Sequence, residues 1–120
     1  MRVSGHLKEM MIASLSDQES RRVIKAVTAK PKTAAQIEEE LDLPQSTLYR
    51  KISELKECGL LMVEEFALRN DGRREPLYAC PFVEVRFKAV QGDIELELVQ
   101  TEQSLVRRWF ELFFSRHDFS

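Results

Sequence analysis

The chain has 120 residues, of which 43% are hydrophobic and 32% are charged, an ordinary composition for one soluble globular domain. No apolar run approaches the roughly 20 residues that a membrane-spanning helix needs, and Lys8 and Glu9 interrupt the apolar N-terminal stretch. We therefore expect a cytoplasmic protein with no secretory signal and no membrane partner. The formal net charge of −2 excludes a uniformly basic protein, so any DNA affinity must come from a few placed cations.

The residue pattern contains no catalytic or metal-binding arrangement. There is no Gly-rich phosphate loop and no nucleophile–histidine–carboxylate pattern. Cys58 and Cys80 lack metal-ligand spacing, and two thiols alone do not make a zinc site. His6 and His117 lie near the two ends without spaced partners. We expect a non-enzyme that needs no metal and no cofactor.

Two helices are predicted before the central part of the chain. Residues 5–15 carry apolar residues at near-helical spacing, which predicts a short leading helix. Ser16 and Glu19 match a capping box, so a second helix is expected over residues 17–29. Pro31 then ends that helix, because the residue before a proline is disfavoured in helical conformation.

Residues 33–61, TAAQIEEELDLPQSTLYRKISELKECGLL, carry the most informative pattern. They predict two helices joined by a tight turn at residues 42–44. Thr33 and Gln36 form a capping box at the start of the first, and Gly59 supplies a left-handed stop after the second. This is the arrangement that places one helix in the major groove of DNA.

The helix that starts near Pro44 has one apolar side and a polar tip. Leu48, Ile52 and Leu55 recur at i, i+4 and i+7, so this stripe is expected to face the core. Small, hydroxyl-bearing or basic residues on the opposite side can reach base edges and phosphates. These residues are Ser46, Arg50 and Ser53, with Thr47 and Tyr49 on the flanks. The first backbone N–H groups add a site for a phosphate.

Two strand pairs are predicted next. Residues 61–68 and 77–80 are joined by residues 69–74, which contain an Asp-Gly turn signal. Strict alternation of apolar and charged residues over 83–88 and 94–98 predicts a second hairpin. This second hairpin could extend the sheet, form part of a dimer or sense an effector.

A final helix is predicted from Thr101 to about Ser115. Its apolar residues cover more than one narrow face, and a monomer should not expose so much apolar surface. We therefore expect this helix to mediate dimerisation. The dimerisation set is Leu105, Trp109, Leu112 and Phe113.

Residues 12–80 resemble the winged helix-turn-helix of the ArsR-like bacterial and archaeal repressors. IASLSDQESRRVIKAV is similar to the leading helix of that family, and residues 33–61 are similar to its helix-turn-helix. The resemblance implies an α+β fold, a winged helix-turn-helix with an added β hairpin and a C-terminal helix. It implies a DNA-binding domain at residues 1–80 and a dimerisation extension at residues 81–120 within one compact unit. Metal-sensing members carry a Cys-x-Cys pair that this chain lacks, so a metal response is not expected.

The resemblance also implies a DNA-contact surface, position by position. Thr33 would hold a phosphate at the start of its helix. The groove-reading set would be Gln45, Ser46, Thr47, Tyr49, Arg50 and Lys51. The wing tip, reaching a phosphate or the minor groove, would be Arg69, Asn70, Arg73 and Arg74. The implied partner is double-stranded DNA bound by a homodimer, and an effector ligand is left open.

A winged helix can also serve as a protein–protein adaptor without DNA affinity. The net negative charge and the Glu38 to Glu40 run favour this alternative. A salt titration separates the two hypotheses, because DNA binding falls steeply with salt while an adaptor shows no DNA affinity even at low salt.

Overall fold

The computed structural model describes residues 1–100 and 104–115, apart from the side chains of residues 104–107 and 110. In chain order the elements are β1 (Arg2–Val3), α1 (Gly5–Leu15), α2 (Gln18–Ala26), α3 (Ala34–Leu41), α4 (Gln45–Glu57), β2 (Met62–Leu68), β3 (Arg74–Ala79), β4 (Phe82–Val90), β5 (Asp93–Gln100) and α5 (Ser104–Phe114). β2 and β3 form one antiparallel pair, and β1, β5 and β4 form a second sheet in that order. The predicted α+β fold, a winged helix-turn-helix with an added hairpin and a C-terminal helix, is confirmed. No helix within the described ranges is long and apolar enough to cross a bilayer.

The helix-turn-helix has the local signals that the sequence predicts. Thr33 caps α3: its hydroxyl accepts the Gln36 amide at 3.2 Å, and the Gln36 side chain accepts the Thr33 amide at 2.9 Å. Asp42 ends α3 in the left-handed conformation, with φ 54°. Gly59 follows α4 with φ +83°, and the next amide, of Leu60, donates to the Leu55 carbonyl at 2.8 Å. Asp42 therefore ends the first helix of the helix-turn-helix, and Gly59 ends the second.

The predicted capping box at Ser16 and Glu19 is wrong. The helix cap is Asp17, whose carboxylate accepts the Ser20 amide at 2.9 Å. The Ser16 hydroxyl instead donates to the Ile12 carbonyl at 2.7 Å, within the last turn of α1. Because α1 continues to Leu15, Ser16 belongs to the end of α1, and the next residue, Asp17, caps α2. α2 also ends at Ala26, three residues earlier than predicted.

The four helices α1 to α4 share one apolar core with the base of the wing, the β2–β3 hairpin. The fully buried side chains of Met11, Ile37, Leu48 and Leu55 come from α1, α3 and α4. The wing is attached through Tyr78: its amide donates to the Lys32 carbonyl at 2.8 Å, and the Lys32 amide donates back at 3.1 Å. The wing is thus held against the segment that leads into α3.

The second sheet joins the N-terminus to the predicted extension. β1 pairs antiparallel with β5, and Val3 lies opposite Leu96. The sequence analysis predicts β4 and β5 but not β1, because a two-residue strand is too short to show alternation. The proposed extension at residues 81–120 therefore shares its sheet with residues that precede α1.

The described aromatic side chains of α5, those of Trp109, Phe113 and Phe114, pack within their own chain. The Trp109 and Phe113 rings stack with centroids 5.0 Å apart, and Phe114 is buried against Phe82 with ring centroids 6.3 Å apart. Trp109 and Phe113 remain half-buried after this packing, so their assignment to a dimer interface stays a prediction. Leu112 is 62% exposed, and the Leu105 side chain lies outside the described residues.

The contact between α5 and the end of α4 can be tested at Gly59. A Cβ atom at Gly59 would lie 2.7 Å from Phe113 Cε1, whereas nothing lies within 4 Å of one at Gly72, and both glycines have φ +83°. Gly72→Ala should therefore cost only the left-handed backbone penalty of about 1 kcal/mol, and Gly59→Ala at least about 2 kcal/mol. Urea unfolding measures both. Equal losses for the two variants would contradict the packing of α5 described above.

Candidate nucleic-acid interface

The N-terminal half of α4 presents a continuous polar face to solvent. Gln45, Ser46 and Arg50 are exposed, Tyr49 is half-exposed and Thr47 is half-buried. The apolar stripe on the opposite side is fully covered by the core, as the helical spacing predicts. The exposed face combines hydroxyl, amide, phenol and guanidinium groups, which are the groups that contact base edges and phosphate oxygens.

The start of α4 also has backbone donors available. Its cap residue, Pro44, makes no side-chain hydrogen bond to the helix, and the first turn contains no acidic residue. The Leu48 amide is the first to bond within the helix, donating to the Pro44 carbonyl at 3.0 Å. The preceding amides of residues 45–47 lack a helical acceptor, as at any helix start. Together with the helix dipole, they favour an anion at this end.

Unlike the start of α4, Thr33 does not have its polar groups available to a phosphate. Its side chain is buried, and the capping box uses its hydroxyl oxygen and its amide. The structure therefore gives Thr33 a role in starting α3, and we do not retain the phosphate contact that the resemblance implies for it.

Lys51 differs from the rest of the predicted groove-reading set. Its residue surface is only 8% exposed, and its ammonium lies 2.8 Å from the carboxylate of Asp17. The hydrogen bond from Lys51, followed by those from Ser20, lowers the pKa of Asp17 from 3.8 to about 2. Lys51 therefore ties α4 to the start of α2 and is not part of the exposed face. The sequence carried a signal for this, since Lys51 falls at i+3 from Leu48, on the apolar stripe.

The tip of the wing is a tight turn that exposes arginines. The Arg69 amide donates to the Arg73 carbonyl at 2.7 Å, and the Arg73 amide donates to the Asp71 carboxylate at 3.0 Å. The Arg69 Nε lies 3.7 Å from both the Asp71 and the Glu75 carboxylates, so its charge is partly compensated. The Arg73 Nε lies 3.9 Å from Asp71. Arg74 is exposed and forms no ion pair with any residue in the described ranges.

The predicted wing residues thus have unequal roles. Arg74, Arg73 and the exposed Asn70 can reach a partner, while Arg69 braces the turn. A cleft of about 510 Å³ separates the wing from α4, between Tyr49 and Tyr78. The Lys56 ammonium lies 5.9 Å from the centroid of the Tyr78 ring, so this cation is turned toward the wing. Tyr78, which the sequence analysis did not single out, is buried, and burial raises the pKa of its hydroxyl.

Cys58 and Cys80 are both free thiols, the first buried and the second half-buried. Cys58 is buried with its Sγ 3.8 Å from the Ser14 hydroxyl, and burial raises the pKa of both Cys58 and Cys80. Within residues 1–100 and 104–115, no three His, Cys, Asp or Glu side chains cluster in a way that could hold a metal ion.

Comparison with known proteins agrees with the geometry of this region. A family model described as a helix-turn-helix domain matches residues 15–64, from the end of α1 to the start of β2. No curated protein matches the chain. Among solved structures, reduced HlyU from Vibrio cholerae N16961 aligns over 91% of this chain and 86% of its own, with 14% identity and a TM-score of 0.42. That similarity is too low to carry a functional inference.

The family match confirms the predicted helix-turn-helix and supports a DNA-binding transcriptional regulator. The narrower assignment to the ArsR-like group stays a prediction.

The structural role of Lys51 predicts a specific pH dependence. Because the folded state lowers the pKa of Asp17 from 3.8 to about 2, the contribution of the pair is present above pH 4 and is lost as pH falls toward 2. Lys51→Met should reduce the free energy of unfolding by about 1 kcal/mol at neutral pH, a small value because Asp17 is partly exposed. The difference from the wild-type chain should shrink in acid.

Urea unfolding from neutral pH down to acid measures this difference, with Lys30→Met as the control for losing one exposed lysine. The same loss at every pH would show that Lys51 acts only through packing of its aliphatic part.

Proposed function

We propose that this protein is a transcriptional regulator that reads double-stranded DNA with the first two turns of α4. The observation that carries the proposal is the exposed polar face of α4 at its uncapped start, on a helix whose other side is fully buried. The proposed groove-reading set is Gln45, Ser46, Thr47, Tyr49 and Arg50. Glu54 and Glu57 lie exposed farther along, where carboxylates would repel phosphates, so contact is confined to the helix start.

The wing supplies the second contact in this proposal. Arg73, Arg74 and Asn70 would reach a phosphate or the adjacent minor groove while α4 lies in the major groove. The ArsR-like resemblance supports this mode of binding and a homodimer on a two-fold site. We further propose a cytoplasmic, prokaryotic protein without enzymatic activity, in which an effector could act through the added hairpin.

The adaptor alternative has less support. Its main argument is the acidic surface of α3, but the Glu40 carboxylate forms an ion pair with Lys32 at 2.6 Å. Part of that acidic surface is therefore compensated within the chain. The family match to a helix-turn-helix domain supports DNA binding over the adaptor.

The proposed major-groove contact is tested by measuring the affinity of Arg50→Ala for DNA duplexes. These duplexes are first selected from genomic fragments with the purified wild-type protein. One guanidinium on a base edge contributes about 1–3 kcal/mol, so the affinity should fall by about tenfold or more. Lys56→Ala is the matched control, because it removes one positive charge from the same helix at a position turned toward the wing. Fluorescence anisotropy measures both affinities. An equal loss for the two variants would mean that only overall charge matters, and no loss for Arg50→Ala would reject the proposed face.

The wing contact predicts a change in salt dependence. If Arg74 neutralises a phosphate, Arg74→Ala should weaken binding to all sequences alike and reduce the slope of log affinity against log salt by about 1. Arg2→Ala is the control, because Arg2 pairs with Glu95 on the outer face of the other sheet. An unchanged slope for Arg74→Ala would remove the wing from the interface. No DNA affinity for the wild-type chain even at low salt would favour the adaptor.

A further inference from the structure

From Glu84 to Val90, the strand β4 has one edge that pairs with no other strand among the described residues. The strand is nine residues long, and its other edge pairs with β5, so within the described ranges it closes one side of the sheet β1-β5-β4. The irregularity between Phe82 and Glu84 affects only its beginning, and the register is continuous from Glu84 to Val90. A long open edge exposes backbone donors and acceptors that can pair with another strand.

The apolar face of the sheet extends past its helical cover at β4. On β5, Leu96 and Leu98 are buried, and they lie opposite Phe87 and Val85 of β4. Phe87 is nevertheless 51% exposed, and Val83 is 66% exposed. A groove of about 540 Å³ runs along this face beside α2. The same apolar face that is covered on β5 is therefore open on β4.

The outer face of β4 carries one acidic residue, Glu84, followed by two basic residues, Arg86 and Lys88. The Arg86 side chain pairs with Glu84 at 2.6 Å and with Glu97 of β5 at 3.1 Å. When two copies of one strand pair antiparallel about a two-fold axis, side chains that lie opposite each other must share a face of the sheet. Only some registers satisfy this condition, and these registers differ in which charged residues lie opposite each other.

One register places Glu84 of each copy opposite Arg86 of the other. It also brings Val85 beside Val85 at the axis and Val83 opposite Phe87. Moving the register by one step places Arg86 opposite Arg86 at the axis, although Glu84 then lies opposite Lys88, and moving it the other way places Glu84 opposite Glu84. Like charges directly opposite destabilise a strand pair, while opposite charges stabilise it. Of these three registers, only the first pairs opposite charges without placing like charges directly opposite each other.

We propose that two copies of this chain associate through β4, antiparallel about a two-fold axis, with Glu84 of one copy opposite Arg86 of the other. The two sheets then form one continuous six-stranded sheet. The exposed Val83 and Phe87 side chains are covered by each other across the axis. This interface takes the place of α5, whose Trp109 packs against Met62 and Ala79 and whose Phe114 packs against Phe82 within the chain.

The register is tested by cysteine cross-linking of the full chain without DNA. Opposite residues of antiparallel strands have Cα atoms about 4.5–5.5 Å apart, which suits a disulfide. Val85→Cys should therefore form a covalent dimer on mild oxidation. Arg86→Cys should cross-link poorly, and so should Ala13→Cys, which places a thiol on the exposed side of α1. More efficient cross-linking through Arg86→Cys, or the same yield from all three variants, would overturn the proposed register.

The assignment of the dimer interface to β4 is tested by analytical ultracentrifugation of two matched variants. Val83→Lys and Leu112→Lys each place an ammonium on a position that is more than half exposed, on β4 and on α5 respectively. Val83→Lys should raise the dimer dissociation constant at least tenfold and leave the circular dichroism spectrum unchanged. Leu112→Lys should leave the constant unchanged.

The reverse result would assign the interface to α5, and a wild-type chain that stays monomeric at high micromolar concentration would reject dimerisation altogether. Neither experiment contains DNA, so failure here is independent of failure of the DNA-binding proposal.

Discussion

The burial of one side of α4 is the constraint on which the rest of the structure depends. Leu48, Ile52 and Leu55 face the core, so helical geometry alone sends the other side of α4 to solvent. The ion pair between Lys51 and Asp17 then fixes how α4 is rotated against the start of α2. The exposed face is thus set by packing and not by a loop, which gives it the rigidity that reading base edges requires.

A net charge of −2 is compatible with DNA binding because the charges are locally organised. Several acidic residues are compensated by neighbours within the chain, as Glu40 is by Lys32 and Glu97 by Arg86. Arg50 and Arg74 are exposed cations with no such partner among the described residues. Since exposed charges are screened beyond about 10 Å at moderate salt, a bound duplex responds to these cations more than to the total charge.

Local patterns were enough to predict most of the fold and part of the site. The Thr33 capping box, the Gly59 stop and the alternation in β4 and β5 are all short-range signals, and each appears in the structure. One local signal was also misleading, since Ser16 belongs to the end of α1 and Asp17 caps α2. The other errors concern long-range contacts. Nothing near Lys51 in the sequence indicates that Asp17 neutralises it, and β1 is recognisable only through its pairing with β5. Composition likewise showed that α5 is apolar, but not which surface it covers.

The position of α5 accounts for the apolar character of Trp109 and Phe113 without a second chain. Trp109 packs against Met62 and Ala79 at the base of the wing, and Phe113 lies so close to Gly59 that no side chain fits there. α5 therefore closes the core where α4 ends and the wing begins, which are the two elements proposed to contact DNA. A helix in that position supports the geometry between them. A two-fold contact is then better placed on a different element, and β4 combines an open edge, exposed apolar residues and an acidic residue next to basic ones.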